Sequence, residues 1–211
     1  RLPDSHARRR PLRTGSRGIR ALNDGGSRSA GTNRYAMQLH QIQCRYDEMN
    51  DRLLLRFSTT EATEFRFWLT RRFVSRLWDL LLKLMQLDQP IVQQADETAK
   101  KEILAMQHEE FVKQGDYSKP FEEKQYTAPL GAEPILLAIA EAQKRPDGNT
   151  LLRLRPQQGQ GIDLNLNAQL LHTVTKLIAD AATRAEWGLT LGMPKSTFDT
   201  ATDIPQSRVL N

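Results

Sequence analysis

Eight arginines and one tryptophan carry most of the chemistry this chain offers. Alternation around residues 45, 52–58 and 64–69 predicts strands that put Arg45, Arg52, Arg56, Arg66 and Trp68 on one face. Arg153 and Arg155 take the corresponding positions later in the chain, with Asp163 and Asn165 beside them. Arginine neutralises phosphate or stacks on a base, and an aromatic face stacks a base at about 1–3 kcal/mol. The set therefore predicts a platform for single-stranded DNA or RNA. Arg71 and Arg72 follow Thr70 in a first helical turn, where the helix dipole is already positive. Such charges cost roughly 0.3–1 kcal/mol each, and a bound phosphate or a partner's carboxylate would relieve them. The competing expectation is a solvated or covered face, with Glu64, Asp47 and Asp51 pairing the arginines and Trp68 lying under a helix.

Other chemistry is sparse. The histidines His6, His40, His108 and His172 show no metal-ligand spacing, and His172 reads as a partly buried packing residue. Cys44 alternates with Ile42 and Tyr46, which marks a small buried hydrophobe rather than a nucleophile, and a single cysteine excludes an internal disulfide. The Gly-Gln-Gly at 159–161 lacks the lysine and hydroxyl residue of a phosphate loop and reads as a turn. Glu109-Glu110 and Glu122-Glu123 read as solvated acidic surface. No acid, base and nucleophile assemble, so the expectation is a non-enzymatic protein with no cofactor and no metal.

The elements that must position these residues follow from periodicity. Strands are expected at 36–46, 51–58 and 64–69, then Thr70 as an N-cap and a helix over 70–86 with Phe73, Val74, Leu77, Leu80, Leu81 and Leu84 on one stripe. The order repeats: strands at 134–144, 150–155 and 162–166, Asn167 as cap, and a helix over 168–183 striped by Leu170, Leu171, Val174, Leu177, Ile178 and Ala181. Caps, stripes and the strands at 64–69 and 162–166 correspond at an offset of 97 residues, and the strands before them at 99. This predicts a tandem βββα duplication: an α+β fold with an antiparallel sheet and both helices packed on one face around a shared core. By element order alone the layout resembles the sheet-plus-helix modules of the PUR-repeat and Whirly single-strand binders, a likeness that carries over no residues.

Between the copies a thinly apolar stretch predicts a polar helix at 90–114 ended by Gly115, and 121–128 predicts a further strand. Trp78, Leu82 and Met85 lie off the first helix's main stripe and predict a second contact, with the middle helix or across a homodimer. That supports the alternative function, a protein-interaction or scaffold module without a nucleic-acid role.

The 211 residues divide into a leader (1–34), a first unit (35–87), a connecting helix (88–120), a second unit (121–187) and a loop tail (188–211). The net charge of +5 is misleading. Residues 1–34 hold nine arginines against two aspartates, leaving 21 basic and 23 acidic residues in the remainder. The leader, rich in Arg, Gly and Ser, reads as disordered: a polyanion-binding arm, a transit peptide, or sequence lying outside the natural protein. No apolar run approaches the roughly 18 residues that span a bilayer, so no membrane association is expected and a bacterial-type cytoplasm is the predicted setting.

Overall fold

The computed structural model describes residues 38–193. They form a mixed α+β structure with two sheets and four helices. Its elements are β1 (Leu39–Asp47), β2 (Arg52–Thr59), β3 (Glu64–Leu69), α1 (Arg71–Met85), α2 (Gln89–Val92), α3 (Glu97–Gln114), β4 (Ile135–Leu136), β5 (Ile139–Lys144), β6 (Thr150–Arg155), β7 (Ile162–Leu166) and α4 (Ala168–Arg184). No helix among the described residues is long and apolar enough to cross a membrane.

Local chemistry explains most of these boundaries. Leu53, Leu55 and Phe57 alternate inward on β2, as do Phe65, Phe67 and Leu69 on β3. Thr70 accepts a hydrogen bond from the Phe73 amide at 3.2 Å, satisfying one of the free donors at the start of α1. Asn167 does the same for α4 through the Leu170 amide at 2.8 Å.

The expected antiparallel sheet is instead two. One has the order β1-β2-β3-β4, with β4 parallel to β3; the other is β5-β6-β7, antiparallel throughout. They meet at two consecutive amides. Leu137 donates to the Trp68 carbonyl (3.0 Å) and Ala138 to the Arg155 carbonyl (2.9 Å). Successive amides of an extended chain point to opposite edges, so this stretch carries β3 on one side and β6 on the other. Side-chain alternation slips by one residue at the same place. Leu137 is buried, Ala138 and Ile139 are both exposed, and Ala140 turns inward again.

The apolar faces of both sheets and the stripes of α1 and α4 form one core. α4 lies against β1 and β2 as well as β7, α1 lies against β5, and the two helices touch each other. Each sheet is thus covered largely by a helix distant in sequence, because a three-stranded sheet with one helix has too little apolar area to close alone.

Two expectations about the middle of the chain are corrected. The single helix over 90–114 is two, because Asp96 caps a fresh start through the Thr98 and Ala99 amides. No strand forms over 121–128; only Thr127 makes an isolated parallel bridge with Thr63. Outside that region, Trp78 and Met85 are buried within the chain's own fold, so the second contact expected of them is made inside the chain and not across a homodimer. The expected loop after α4 is anchored by Trp187, whose indole N–H donates to Asp51 at 2.7 Å and whose ring meets Tyr46 edge-on. The leader at 1–34 and the tail beyond residue 193 lie outside the described residues.

α3 buries only Leu104 and Ala105 and docks on α4 through a polar contact. His108 and His172 share a hydrogen bond between their Nδ1 atoms at 3.0 Å, and the Phe111 ring lies 5.0 Å from that of His172. One Nδ1 donates and the other accepts, so both rings cannot be protonated at once without breaking the bond. Burial, and then His108, pushes His172 down to about 4, and burial also lowers His108. A folded pKa below the unfolded value means this stability is complete above pH about 6.5 and is lost as pH falls toward 4. Urea unfolding at pH 7 and pH 5 should show the loss, and His172→Phe should shrink the difference. Equal pH dependence in both proteins would refute the assignment.

Gly161 gives a second prediction. A Cβ there would sit 1.9 Å from the Leu154 carbonyl oxygen and 2.9 Å from the Arg155 Cα. Gly161→Ala should therefore lose about 1–3 kcal/mol in chemical denaturation, because backbone on the neighbouring strand must move.

Candidate binding face

The face of the first sheet turned away from the core is fixed by register. Arg45, Leu54, Trp68 and Leu136 are successive neighbours across all four strands, and Gln43, Arg56 and Arg66 form the next row. A shallow depression of about 380 Å³ opens here. Arg45, Arg56, Arg66, Trp68, Leu54 and Pro134 line it, together with the carboxylates of Asp47 and Glu123. Four of the residues that the sequence marks for nucleic-acid contact are thus brought together.

Their charges, however, are already answered. Arg56 faces Arg66 directly across the strands, a like-charge pairing that is unfavourable by itself. Glu64 resolves it. One carboxylate oxygen accepts from Arg56 Nε at 2.6 Å and the other from an Arg66 terminal nitrogen at 2.7 Å. The Glu64 side chain is 1% exposed. Burial alone would raise its pKa, but the bonds from Arg66 and Arg56 prevail and hold it below the usual carboxylate range.

A second carboxylate arrives from a distant segment. Glu123 accepts from both terminal nitrogens of Arg56, at 2.5 and 2.9 Å, and the Phe121 ring lies over the guanidinium with its centroid 4.0 Å from Cζ. The hydrogen bonds to Glu123 and Glu64 keep Arg56 charged despite its burial. Arg66 also donates to the Ala132 carbonyl, 3.1 Å away, while its buried Nε has no hydrogen-bond partner. The expectation that Arg56 lies on a solvent-facing platform is therefore corrected: it is buried beneath Phe121 and Glu123. Sequence reading placed Glu122-Glu123 on solvated surface, and nothing local in the sequence reveals that Glu123 meets Arg56 across 67 residues.

Arg45, in the depression, is exposed and lies 3.6 Å from Asp47, and Arg52 stands opposite Asp47 in the β1–β2 register; the other candidates are elsewhere. On the second sheet Arg153 sits between Glu141 and Asp163, 3.7 Å from the latter. Arg155 pairs with Asp163 and donates to the Ile162 carbonyl at 2.5 Å. Arg71 and Arg72 are exposed at the start of α1. Trp187 and Tyr46 hydrogen bonds hold Asp51 below the ordinary carboxylate range, and Arg71 adds to the effect. Cys44 is buried, and that burial pushes its thiol up to about 12, far from a nucleophile's range. Among the described residues no three His, Cys, Asp or Glu side chains are grouped to hold a metal.

Fold and face together describe an α+β protein whose outer sheet face holds a charge-balanced depression lined by Trp68, Leu54 and Pro134 among paired arginines. No family model matches the chain, and no curated protein or solved structure matches it.

The charge network predicts unequal costs. Glu64→Gln leaves two opposed guanidiniums without their shared buried anion and should cost about 3–5 kcal/mol in urea unfolding. Glu123→Gln removes an exposed carboxylate and should cost no more than about 1 kcal/mol. Equal losses would show that Glu64 is not the balancing charge.

Proposed function

We propose that this chain is a non-enzymatic binding module and that its outer sheet face docks another protein. The observation that carries this reading is an exposed apolar stretch that runs on from the depression. Leu136 and Ile139 remain 44% and 45% exposed, in a chain stretch that also contributes Pro134 and lies beside the half-buried Trp68. Apolar and aromatic side chains beside arginines are the composition of protein-binding hot spots. The arginines are already paired, which suits a partner surface better than a polyanion, since phosphate binding draws on uncompensated positive charge.

Single-stranded nucleic acid is the second reading. What favours it is that Arg45, Arg66 and Trp68 line one depression, with Arg45 exposed. A tandem duplication accounts for the repeated element order, and the matching side-chain caps at Thr70 and Asn167 support it.

Sedimentation of the full chain at several concentrations, with capture of partners from a lysate, tests the first reading against a Leu136→Asp/Ile139→Asp variant. The variant should melt like the parent yet lose self-association or capture. Titration with single-stranded and duplex oligonucleotides across a salt series tests the second. The chain lacking residues 1–34 is run alongside, so that any affinity contributed by the leader's nine arginines is separated from that of the sheet. Salt-dependent single-strand binding without the leader, weakened by Trp68→Ala and indifferent to the Asp pair, would replace the protein-docking reading.

A further inference from the structure

We infer that the segment around Phe121–Glu123 occupies, within the chain, the site of an extended acidic peptide from a partner. The inference rests on the protein-docking reading and gives that partner its chemistry: an aromatic residue followed two positions later by a carboxylate.

The segment between α3 and β4, residues 115–134, contains no helix or strand. Connections longer than about 12–15 residues without secondary structure are uncommon in compact domains and usually functional. This one crosses the outer face and is held there as a peptide ligand is held. Gln41 on β1 reads its backbone twice, donating to the Pro120 carbonyl at 3.2 Å and accepting from the Glu122 amide at 2.9 Å. Phe121 and Glu123, two residues apart, both land on the Arg56 guanidinium. Thr127 closes the contact by bonding the Ala62 carbonyl and the Glu64 amide, each at 2.9 Å. Backbone bonds combined with anchoring by alternate side chains are the grammar of extended-peptide recognition.

The grip is narrow. Residues 122–125 are exposed, and the Glu123 side chain remains 69% exposed while bonded to a buried arginine. Electrostatics then defines what replaces it. With the segment seated, Arg56 and Arg66 balance Glu64 and Glu123. When it lifts, two guanidiniums share one carboxylate, and the face of Arg56 carries an unanswered positive charge. Lifting the segment opens Arg56 to water, so the vacated face carries net positive charge at little cost and draws another anion. A partner peptide that supplies the carboxylate and also reaches Trp68, Leu136 and Ile139 gains contacts the chain's own segment does not make. That surplus must offset the high effective concentration of a tethered competitor.

The test uses the full chain carrying Phe121→Ala/Glu123→Gln, with a fluorescent peptide of this chain's residues 116–129 as the probe. Anisotropy should show the variant binding the peptide at least tenfold more tightly than the parent protein does, and Glu→Gln at the peptide's 123 position should abolish the gain. A variant that melts like the parent but does not bind the peptide overturns the inference. Should the double variant fail to fold, Glu123→Gln alone, which removes only an exposed carboxylate, carries the test: it should bind the peptide more tightly than the parent does, and binding no tighter than the parent's overturns the inference. Tighter binding of a single-stranded oligonucleotide than of the peptide would also overturn it, since the vacated site would then be taking phosphate. Peptide binding by the variant, with partner capture unaffected by Leu136→Asp/Ile139→Asp, would refute the apolar docking face while leaving the segment's exchange intact.

Discussion

The chain between Ile135 and Lys144 belongs to two sheets at once, and the fold hangs on that fact. Leu137 and Ala138 send their amides to opposite edges, one to Trp68 on β3 and the next to Arg155 on β6. An extended backbone has only two edges, and this stretch uses both within two residues. Joined there, the two sheets present apolar faces to a common interior. α1 is drawn against β5 and α4 against β1 and β2, so that each helix covers strands far from it in sequence. The slip in alternation beside the junction also sets Leu136 and Ile139 toward solvent. The structural join and the exposed apolar stretch thus have one cause.

The outer face obeys a different constraint, charge balance under burial. Two arginines opposed on adjacent strands need an anion between them, and Glu64 meets that need from β3 itself. Its carboxylate can be buried because both oxygens are fully used. Glu123 then answers the remaining face of Arg56 from outside, and Phe121 seals it. The two acids differ sharply in exposure, which divides a permanent structural pair from a contact made at the protein's surface.

Much of this was legible in the residues alone wherever the cause is local. The strand at 64–69 and those at 150–155 and 162–166 announce themselves by alternation, and Thr70 and Asn167 announce the helices after them. Side-chain direction on a strand repeats every two residues, so the placement of Arg45, Arg56, Arg66 and Trp68 on one face also follows from sequence. The strand expected at 121–128 fails because alternation shows that a segment can pair but not that a partner edge is free. Only Thr127 meets an edge, at Thr63.

What the sequence by itself determined is therefore most of the elements, the caps at Thr70 and Asn167 and which side chains share a face, since each depends on neighbours within a few residues. Only the tertiary structure decided which strands join, that β3 and β4 run parallel, that Trp78 is buried by its own chain, and that Arg56 is claimed by Glu64 and Glu123. The reason is physical. Hydrogen bonds along a helix and alternation along a strand are set by chain geometry. Ion pairing and sheet joining are set by distance in space, and Arg56 and Glu123 are 67 residues apart until the fold makes them neighbours.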